Sequence, residues 1–242
     1  MPDAIIHFAR SFSAEQIETT WSDPPRPMPA EVNDLIESAW TAALARLGSR
    51  LYDGPMVRLN SWRIDGDRLR LNLGSTSYKP FMGTNLMHAD LADRYGPEIL
   101  ANPLGLSAAL ESADGFLLLG RRNEHVAFYP NRIHTFAGTA EGADVFAGIR
   151  KELEEELKLG DADIADIRCI GLAEDPSIRQ PELIFYVKSK RSRREIECHL
   201  DAKEHLGLVA FDNPDRAIGE PDLTPVARAS VSLWRYGATR QQ

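Results

Sequence analysis

Three glutamates on one predicted helix are the residues of this chain best suited to chemistry. Glu152, Glu155 and Glu156 are spaced i, i+3 and i+4, so a helix places their carboxylates on one face. An apolar stripe borders that face, formed by Val145, Phe146, Ile149, Leu153 and Leu157. Clustered like charges oppose the helix, and burial beside a core opposes ionised carboxylates. A divalent cation removes both objections, and oxygen ligands suit Mg²⁺ or Mn²⁺ better than zinc.

The alternative interpretation of this helix is a solvated acidic surface, which is commoner in proteins than a metal site. The segment that precedes the helix, FAGTAEG at 136–142, favours the metal. Its small residues let the backbone approach a ligand closely. A strand, a glycine-containing loop and an acidic helix in this order can bind a metal-chelated diphosphate.

The elements that must position this helix fall into two predicted parts. Apolar residues recur at helical spacing over 32–47 and stop at Gly48, and 56–64 with 68–74 predict a hairpin. Pro103 marks a boundary. Beyond it the predicted elements are a hairpin at 104–109 and 116–122, the acidic helix at 144–157, strands near 167–173, 183–188 and 206–212, and a helix at 225–236. The pattern predicts an α/β or α+β protein with a smaller N-terminal α/β domain (1–103) and a second domain (104–242).

Composition narrows the class of function. The 242 residues carry 28 basic and 36 acidic side chains, a net charge of −8, which argues against nucleic acid and anionic membranes as partners. Two cysteines exclude a disulfide framework and favour a reducing compartment. The apolar runs are too short to span a membrane, and the first residues lack the long apolar region of a signal peptide. We therefore expect a cytoplasmic protein with a small-molecule ligand.

The stretch around the three glutamates resembles the signature of the Nudix hydrolases. KELEEELKL (151–159) matches its acidic half, with Lys151 and Lys158 where the signature has Arg and Gly. In the front half, Asp144 takes the place of a Glu after a one-residue deletion in the loop that holds Gly138. The hairpin strand FLLLGRR (116–122) also resembles the opening of a Nudix domain. The resemblance implies an α/β/α sandwich and a metal-dependent pyrophosphohydrolase.

The resemblance also implies roles for individual acidic residues. Glu152 and Glu156 would bind the principal metal ion, and Glu155 would support a second ion or the attacking water. The carbonyl of Ala137 is a further implied ligand, and Glu204 is the best-placed acidic residue from a later loop. The implied catalytic residues are Glu155, Glu156 and Glu204, and either Glu155 or Glu204 is the base.

Motifs in the N-terminal part give a narrower resemblance. VRLNS (57–61), LGSTSY (73–78), FMGTN (81–85) and NPLG (102–105) resemble the animal Nudix-type UDP-glucose pyrophosphatases. That branch splits UDP-glucose or UDP-galactose into UMP and the sugar 1-phosphate with Mg²⁺. The resemblance therefore implies a nucleotide-sugar substrate, held in part by the N-terminal domain.

The segment 76–85 supplies side chains for a nucleoside. Tyr78 and Phe81 could stack on uracil, although either residue type is more often a core aromatic. Hydroxyl and amide groups that could bond a pyrimidine edge or a ribose come from Thr76, Ser77, Thr84 and Asn85. The same four residue types also populate ordinary turns.

Three basic residues complete the expected substrate contacts. Arg121 and Arg122 end a strand, where alternation sends them to opposite faces. We expect one guanidinium to bind the diphosphate and the other to meet solvent or an acidic neighbour. His134 enters the glycine-containing loop from the strand and is expected to be a contact rather than a catalytic group.

Other functions remain open at this stage. A different Nudix substrate, such as ADP-ribose, NADH or coenzyme A, would keep the chemistry and change the 78–85 pocket. A catalytically silent Nudix module could bind a UDP-sugar, and a structural protein would bind neither metal nor nucleotide. A zinc site is not indicated, because Cys198, His199 and His205 lack paired-ligand spacing.

Overall fold

The computed structural model describes residues 3–26, 28–126 and 128–238, which form two β-sheets and a set of helices. The strands are β1 (Ile5–Phe12), β2 (Ile17–Trp21), β3 (Pro55–Asp65), β4 (Arg68–Ser77), β5 (Gly105–Glu111), β6 (Leu117–Arg122), β7 (Ile133–His134), β8 (Phe136–Thr139), β9 (Ile164–Asp175), β10 (Gln180–Ser189) and β11 (His205–Phe211). The α-helices are α1 (Ala30–Leu47), α2 (Tyr78–Phe81), α3 (Leu91–Tyr95), α4 (Val145–Leu157), α5 (Arg193–Glu197), α6 (Pro214–Ile218) and α7 (Pro225–Ala238).

The larger sheet is mixed and carries the central layer of the protein. Its strand order is β1-β9-β10-β5-β6-β11, with β7 paired to β6 and β8 paired to β5. The pair β10 and β5 is parallel, and its neighbours along this order are antiparallel. Strand β8 leads directly into the loop before α4, so the sheet fixes both the glycine-containing segment and the start of the acidic helix.

One helix covers each face of this sheet. The α4 residues Phe146, Ile149 and Leu153 are buried with alternate sheet residues, including Leu106 and Phe185. On the opposite face, apolar residues of α7 pack against the sheet residues whose side chains point away from α4. This is the expected α/β/α sandwich, and the predicted apolar stripe of α4 is its inner face.

The smaller sheet has the strand order β2-β4-β3. The sequence predicts a domain boundary at residue 103, but this sheet is joined to the part after residue 103 by shared contacts. Its inner residues Leu69 and Leu71 share one core with Leu153 of α4, and the Val57 N–H donates to the Ala140 carbonyl at 3.3 Å. In addition, β1 pairs with β9 in the large sheet, although it lies in the part predicted to be N-terminal domain. The N-terminal part is therefore built onto the sandwich through a continuous core.

The ends of α4 explain two departures from the Nudix signature. Asp144 is the N-cap, and its carboxylate accepts from the Phe146 and Ala147 N–H groups at 3.0 Å. That contact gives Asp144 a structural role at the start of α4, and its replacement of the first Glu of the signature stays a prediction. Lys158 is the C-cap with φ 53°, the left-handed conformation in which Gly is favoured. Among the described residues, no helix is both long enough and apolar enough to cross a membrane.

Candidate active site

Glu156 is the most buried member of the acidic face of α4. It is 3% exposed and lies against β8, where its Oε1 accepts from the Ala137 N–H at 3.1 Å. Its Oε2 lies 2.5 Å from Nε2 of His205. Burial raises the pKa of Glu156, and the bonds from His205 and Ala137 oppose that rise. Two contacts from separate strands thus hold this carboxylate in one orientation.

His205 is a functional residue that the sequence interpretation missed. The first residue of β11, it packs edge-on against Phe136 with a centroid separation of 5.3 Å. Its Nδ1 is buried and has no hydrogen-bond partner among the described residues, and it faces Gly120 on β6, where any Cβ would overlap the ring. His205 was weighed only as a zinc ligand. The signal was its adjacency to Glu204, because a carboxylate and a histidine in one turn can serve one site.

Glu204 lies beside this pair. Oxygen or nitrogen atoms of Glu156, Glu204 and His205 all lie within 4.8 Å of one another, and Glu204 is exposed. The turn that carries Glu204 is anchored to the end of α4, since the Asp201 N–H donates to the Glu156 carbonyl at 2.8 Å. The proximity of Glu204 to the acidic helix, which the resemblance implied, is therefore present in the fold.

Glu152 occupies the other side of the acidic face. Its carboxylate lies against Gly138, where a Cβ would collide with it. Burial raises the pKa of Glu152 to about 7, and the charges of Glu156 and Glu155 add to the rise. These crowded carboxylates outnumber the cations near them: Lys151 pairs with Glu141 at 2.7 Å and Glu155 at 3.5 Å, and Arg122 lies near Glu156 and Glu204. The donor set fits a divalent cation on this ground.

Glu155 stands apart from that group. Its side chain is 58% exposed and contacts Lys151, and it is not among the three residues that lie within 4.8 Å of one another. For Ala137, the contact observed at the site is the N–H bond to Glu156, and the metal-binding role of its carbonyl stays a prediction.

The two arginines of β6 take opposite faces, as alternation predicts. Arg121 contacts Asp222 at 3.2 Å and the Asn131 carbonyl at 2.9 Å, so it is the arginine with an acidic neighbour. Arg122 faces the site, with its Nε donating to the Phe128 carbonyl at 2.9 Å. Burial lowers the pKa of Arg122, and the charges of Glu156, Glu204 and Glu182 oppose that change. Arg122 is the arginine placed to meet a diphosphate.

His134 lies next to Arg122 and is held neutral. Its Nδ1 is 2.6 Å from the Thr224 hydroxyl. Burial, then the nearby Arg122 and His205, keep the pKa of His134 well below its usual value. A neutral imidazole can donate or accept one hydrogen bond without adding charge.

Two cavities flank β8, and Thr139 lines both. The first, which we call the Glu182 cavity, has a volume of about 150 Å³ and is lined by residues that include Arg122, His134, Gly138, Tyr129, Asp175 and Glu182. The second, the Tyr78 cavity, has a volume of about 530 Å³ and is lined by residues that include Arg50, Tyr52, Met56, Tyr78, Glu141 and Glu152. The two cavities thus meet at Thr139 of the strand beside the acidic helix, and Glu152 of that helix lines the second.

The segment 76–85 requires corrections. Thr84 and Asn85 are fully buried and bond the protein itself, so the prediction that they contact a ligand is wrong for this structure. The Asn85 amide donates to the carbonyls of Ile178 at 3.0 Å and Arg179 at 3.2 Å, and its oxygen accepts from the Asn102 N–H. The Thr84 hydroxyl donates to the Pro80 carbonyl at 2.6 Å.

The two aromatic residues of this segment differ in burial. Phe81 is 4% exposed and packs between Tyr78 and Phe128, which makes it a support rather than a stacking surface. Tyr78 is half-buried and lines its cavity, where a base could stack. Ser77 is half-buried, and the Thr76 hydroxyl is buried without a partner among the described residues.

The resemblance to the Nudix hydrolases found in the sequence is confirmed by named relatives. The chain is 26% identical over 263 residues to uridine diphosphate glucose pyrophosphatase NUDT22 of Homo sapiens, covering 90% of this chain and 86% of that protein. It is 25% identical over 255 residues to the Bos taurus protein of the same name, covering 86% and 87%.

Two further proteins are similar to the chain. Nudix hydrolase 9 of Arabidopsis thaliana is 24% identical over 214 residues, covering 72% of this chain and 68% of that protein. A solved mutT/nudix family protein from Listeria innocua, 18% identical, covers 58% of this chain and 96% of its own, with a TM-score of 0.46. No protein-family model matches the chain. The relation to named hydrolases and pyrophosphatases supports a hydrolase.

Proposed function

We propose that this protein hydrolyses the diphosphate bond of UDP-sugars, UDP-glucose or UDP-galactose, to UMP and sugar 1-phosphate. The observation that carries the proposal is the fixed carboxylate of Glu156, held by Ala137 and His205 beside Glu204, with two cavities that share Thr139 of the neighbouring strand. The names of the NUDT22 relatives support the substrate class.

The proposal includes Mg²⁺ as the cofactor, with Mn²⁺ as a substitute. Glu152, Glu156 and Glu204 would hold the ion, with Glu155 and the Ala137 carbonyl as the further ligands that the family resemblance implies. Such an ion neutralises charge on the diphosphate and lowers the pKa of bound water. Every ligand in this set is an oxygen atom, which suits Mg²⁺.

The protein groups have separate roles in this proposal. Arg122 binds a diphosphate oxygen, because it lines the Glu182 cavity and lies close enough to Glu156 and Glu204 to interact with their charges. Glu204 is the proposed base: it is exposed and close to Glu156, whereas Glu155 is paired with Lys151. His205 positions Glu156 and does not touch the substrate.

The Tyr78 cavity is the proposed nucleoside site. Tyr78 would stack on uracil, with Thr76 and Ser77 near the base or the ribose. Thr84, Asn85 and Phe81 support this segment from beneath. The cysteines Cys169 and Cys198 are both free, which suits the proposed location in the reducing cytoplasm.

The test is release of UMP from UDP-glucose in Mg²⁺, resolved by ion-exchange chromatography. We expect Glu156→Gln to lower kcat at least about 100-fold, because it removes a charge from the ion-binding group. Glu154→Gln is the matched control on an exposed position of the same helix, and it should leave kcat unchanged.

Three outcomes would contradict the proposal in different ways. Turnover of ADP-ribose or NADH but not of UDP-glucose would make the substrate wrong and leave the chemistry in place. Binding of UDP-glucose without turnover, even in Mn²⁺, would indicate a catalytically silent binding module. Equal activity of the wild type and Glu156→Gln would remove the acidic helix from the reaction.

A further inference from the structure

Glu182 lies in the Glu182 cavity with half of its carboxylate unused by the protein. It is 8% exposed and begins the part of β10 that pairs with β5, opposite Gly105. One oxygen accepts from the Ser107 hydroxyl, which also contacts the Thr135 hydroxyl at 2.8 Å. The other oxygen has no hydrogen-bond partner in the part of the chain that the structure describes, and the residue lines the cavity.

The second carboxylate of this cavity is already satisfied. Asp175 accepts from the Tyr129 hydroxyl at 2.5 Å and from the Ser177 N–H at 2.8 Å. Both of its oxygens are therefore engaged, and Glu182 is the acidic group left to accept a hydrogen bond from a ligand.

The charge of the cavity limits what it can hold. Arg122 lines the cavity and is near enough to Glu156, Glu204 and Glu182 to interact with their charges, so a diphosphate oxygen has a cation to meet there. Beyond Arg122, Asp175 and Glu182 place two carboxylates where a further phosphate would be repelled. Hydroxyl groups are neutral donors, and a carboxylate in a confined site accepts from them strongly.

The two cavities also differ in size and lining. The Tyr78 cavity is the larger and has tyrosine and methionine side chains, which suit a flat base. The Glu182 cavity is the smaller and has acceptor groups together with the Phe128 and Tyr129 side chains. A compact ring with several hydroxyls matches the second description.

We propose that Glu182 binds a hydroxyl of the sugar and selects nucleotide-sugars over nucleoside triphosphates. This inference rests on the proposed function, because it places the sugar in the Glu182 cavity and the base in the Tyr78 cavity, both of which Thr139 of β8 lines. Glu182 is a specificity-determining residue in this scheme, and the water and the metal ligands act without it.

The experiment compares wild type, Glu182→Gln and Glu174→Gln on UDP-glucose and on UTP. Glu174 pairs with His7 and Arg179 outside this cavity, so its variant controls for loss of a partly buried carboxyl. We expect Glu182→Gln to lower kcat/KM for UDP-glucose about 10- to 100-fold, mainly through KM, because a substrate hydroxyl loses a charged acceptor. UTP hydrolysis should stay equal or rise, because the γ-phosphate meets one carboxylate fewer.

Calorimetry with UDP-glucose and with UMP in Ca²⁺ separates binding from turnover. Glu182→Gln should weaken UDP-glucose binding and leave UMP binding unchanged. Gln180→Ala, on a neighbouring cavity residue, provides a second variant if Glu182→Gln does not fold.

The outcomes distinguish this inference from the proposed function. Equal losses on UDP-glucose and UTP, or unchanged UDP-glucose affinity in Glu182→Gln, would overturn the sugar-binding role alone. Wild-type protein that binds UDP-glucose through Glu182 without hydrolysing it would overturn the function alone. Wild-type protein that neither binds nor hydrolyses UDP-glucose would overturn both.

Discussion

Two regions of this protein are rich in polar side chains and use them in opposite ways. In the segment 76–85, Thr84 and Asn85 bond backbone groups of Pro80 and of two other loops, 101–102 and 178–179, and their polar atoms are satisfied inside the protein. Around α4, carboxylates crowd one another, and His205 and Glu182 keep atoms without a protein partner. Satisfied groups stabilise the fold, whereas unsatisfied ones weaken it and are free for a ligand. Removing the first kind should cost stability, and removing the second kind should cost function.

The largest expected effect is that of Gly120→Ala. A methyl group at this position overlaps the His205 ring, so His205 and its partner Glu156 must move. We expect kcat to fall at least about 100-fold in the UMP-release assay. Gly207→Ala, on the neighbouring strand β11, has open space around its Cβ and should keep wild-type activity. Comparable activity of the two variants would show that His205 does not position Glu156.

Asn85→Ala should have the opposite effect: it should reduce stability and leave activity nearly unchanged. Loss of its buried bonds to Ile178, Arg179 and Asn102 should reduce the free energy of unfolding by about 2–4 kcal/mol, measured in urea. At a temperature where the variant is folded, we expect kcat/KM within about threefold of wild type. Asn33→Ala, on an exposed face of α1, is the matched control. If the variant has full stability and low activity, Asn85 contacts the substrate after all.

The stability of Glu182→Gln relative to the wild type should increase as the pH rises. Burial raises the pKa of Glu182 to about 7 from a usual value of 4.5, so the folded state disfavours its ionised form. The wild type should therefore lose stability between about pH 4.5 and 7, by up to about 3 kcal/mol, and the variant should not show this loss. Urea unfolding of both proteins at pH 4.5 and pH 8 measures the difference. A constant difference across that range would mean that Glu182 is not strained by its burial.

The smallest expected effect is that of Lys158→Gly. Lys158 lies at the edge of the acidic face. Gly accepts the left-handed φ of 53° without a Cβ clash, which should add about 0.5–1 kcal/mol to the free energy of unfolding. Lys158→Ala should not stabilise, because it loses the Nζ bonds to the Glu154 and Glu155 carbonyls and keeps the Cβ. Equal stabilities of the two variants would remove the conformational explanation.

The sequence predicted the parts of this molecule that depend on neighbouring residues. The inner and acidic faces of α4, the β3–β4 hairpin and the opposed directions of Arg121 and Arg122 all follow from short-range periodicity. Which arginine faces the site was not predictable, because the answer depends on Asp222, about 100 residues further along the chain.

Contacts between distant elements account for the remaining misses. Glu156 meets His205 only after β11 joins the sheet, and no local pattern announces that pairing. Likewise, the hydroxyl of Thr84 and the amide of Asn85 look suited to a ligand until the loops at 101–102 and 178–179 cover them. Residue type shows what a side chain can bond, and the tertiary fold decides whether that bond is made inside the protein.

The pairing of β1 with β9 has a consequence for synthesis of the chain. His7 bonds Glu174, which lies 167 residues further along the chain, so β1 cannot pair with β9 until that length of chain has been made. Until then, the apolar side chains of Phe8 and Phe12, buried in the finished protein, lack the surface that covers them. Closure of so long a loop is slow, and an unpaired strand invites contact with other chains. We expect the docking of β1 to be a late step of folding. Until β1 has docked, we expect the nascent chain to depend on chaperones.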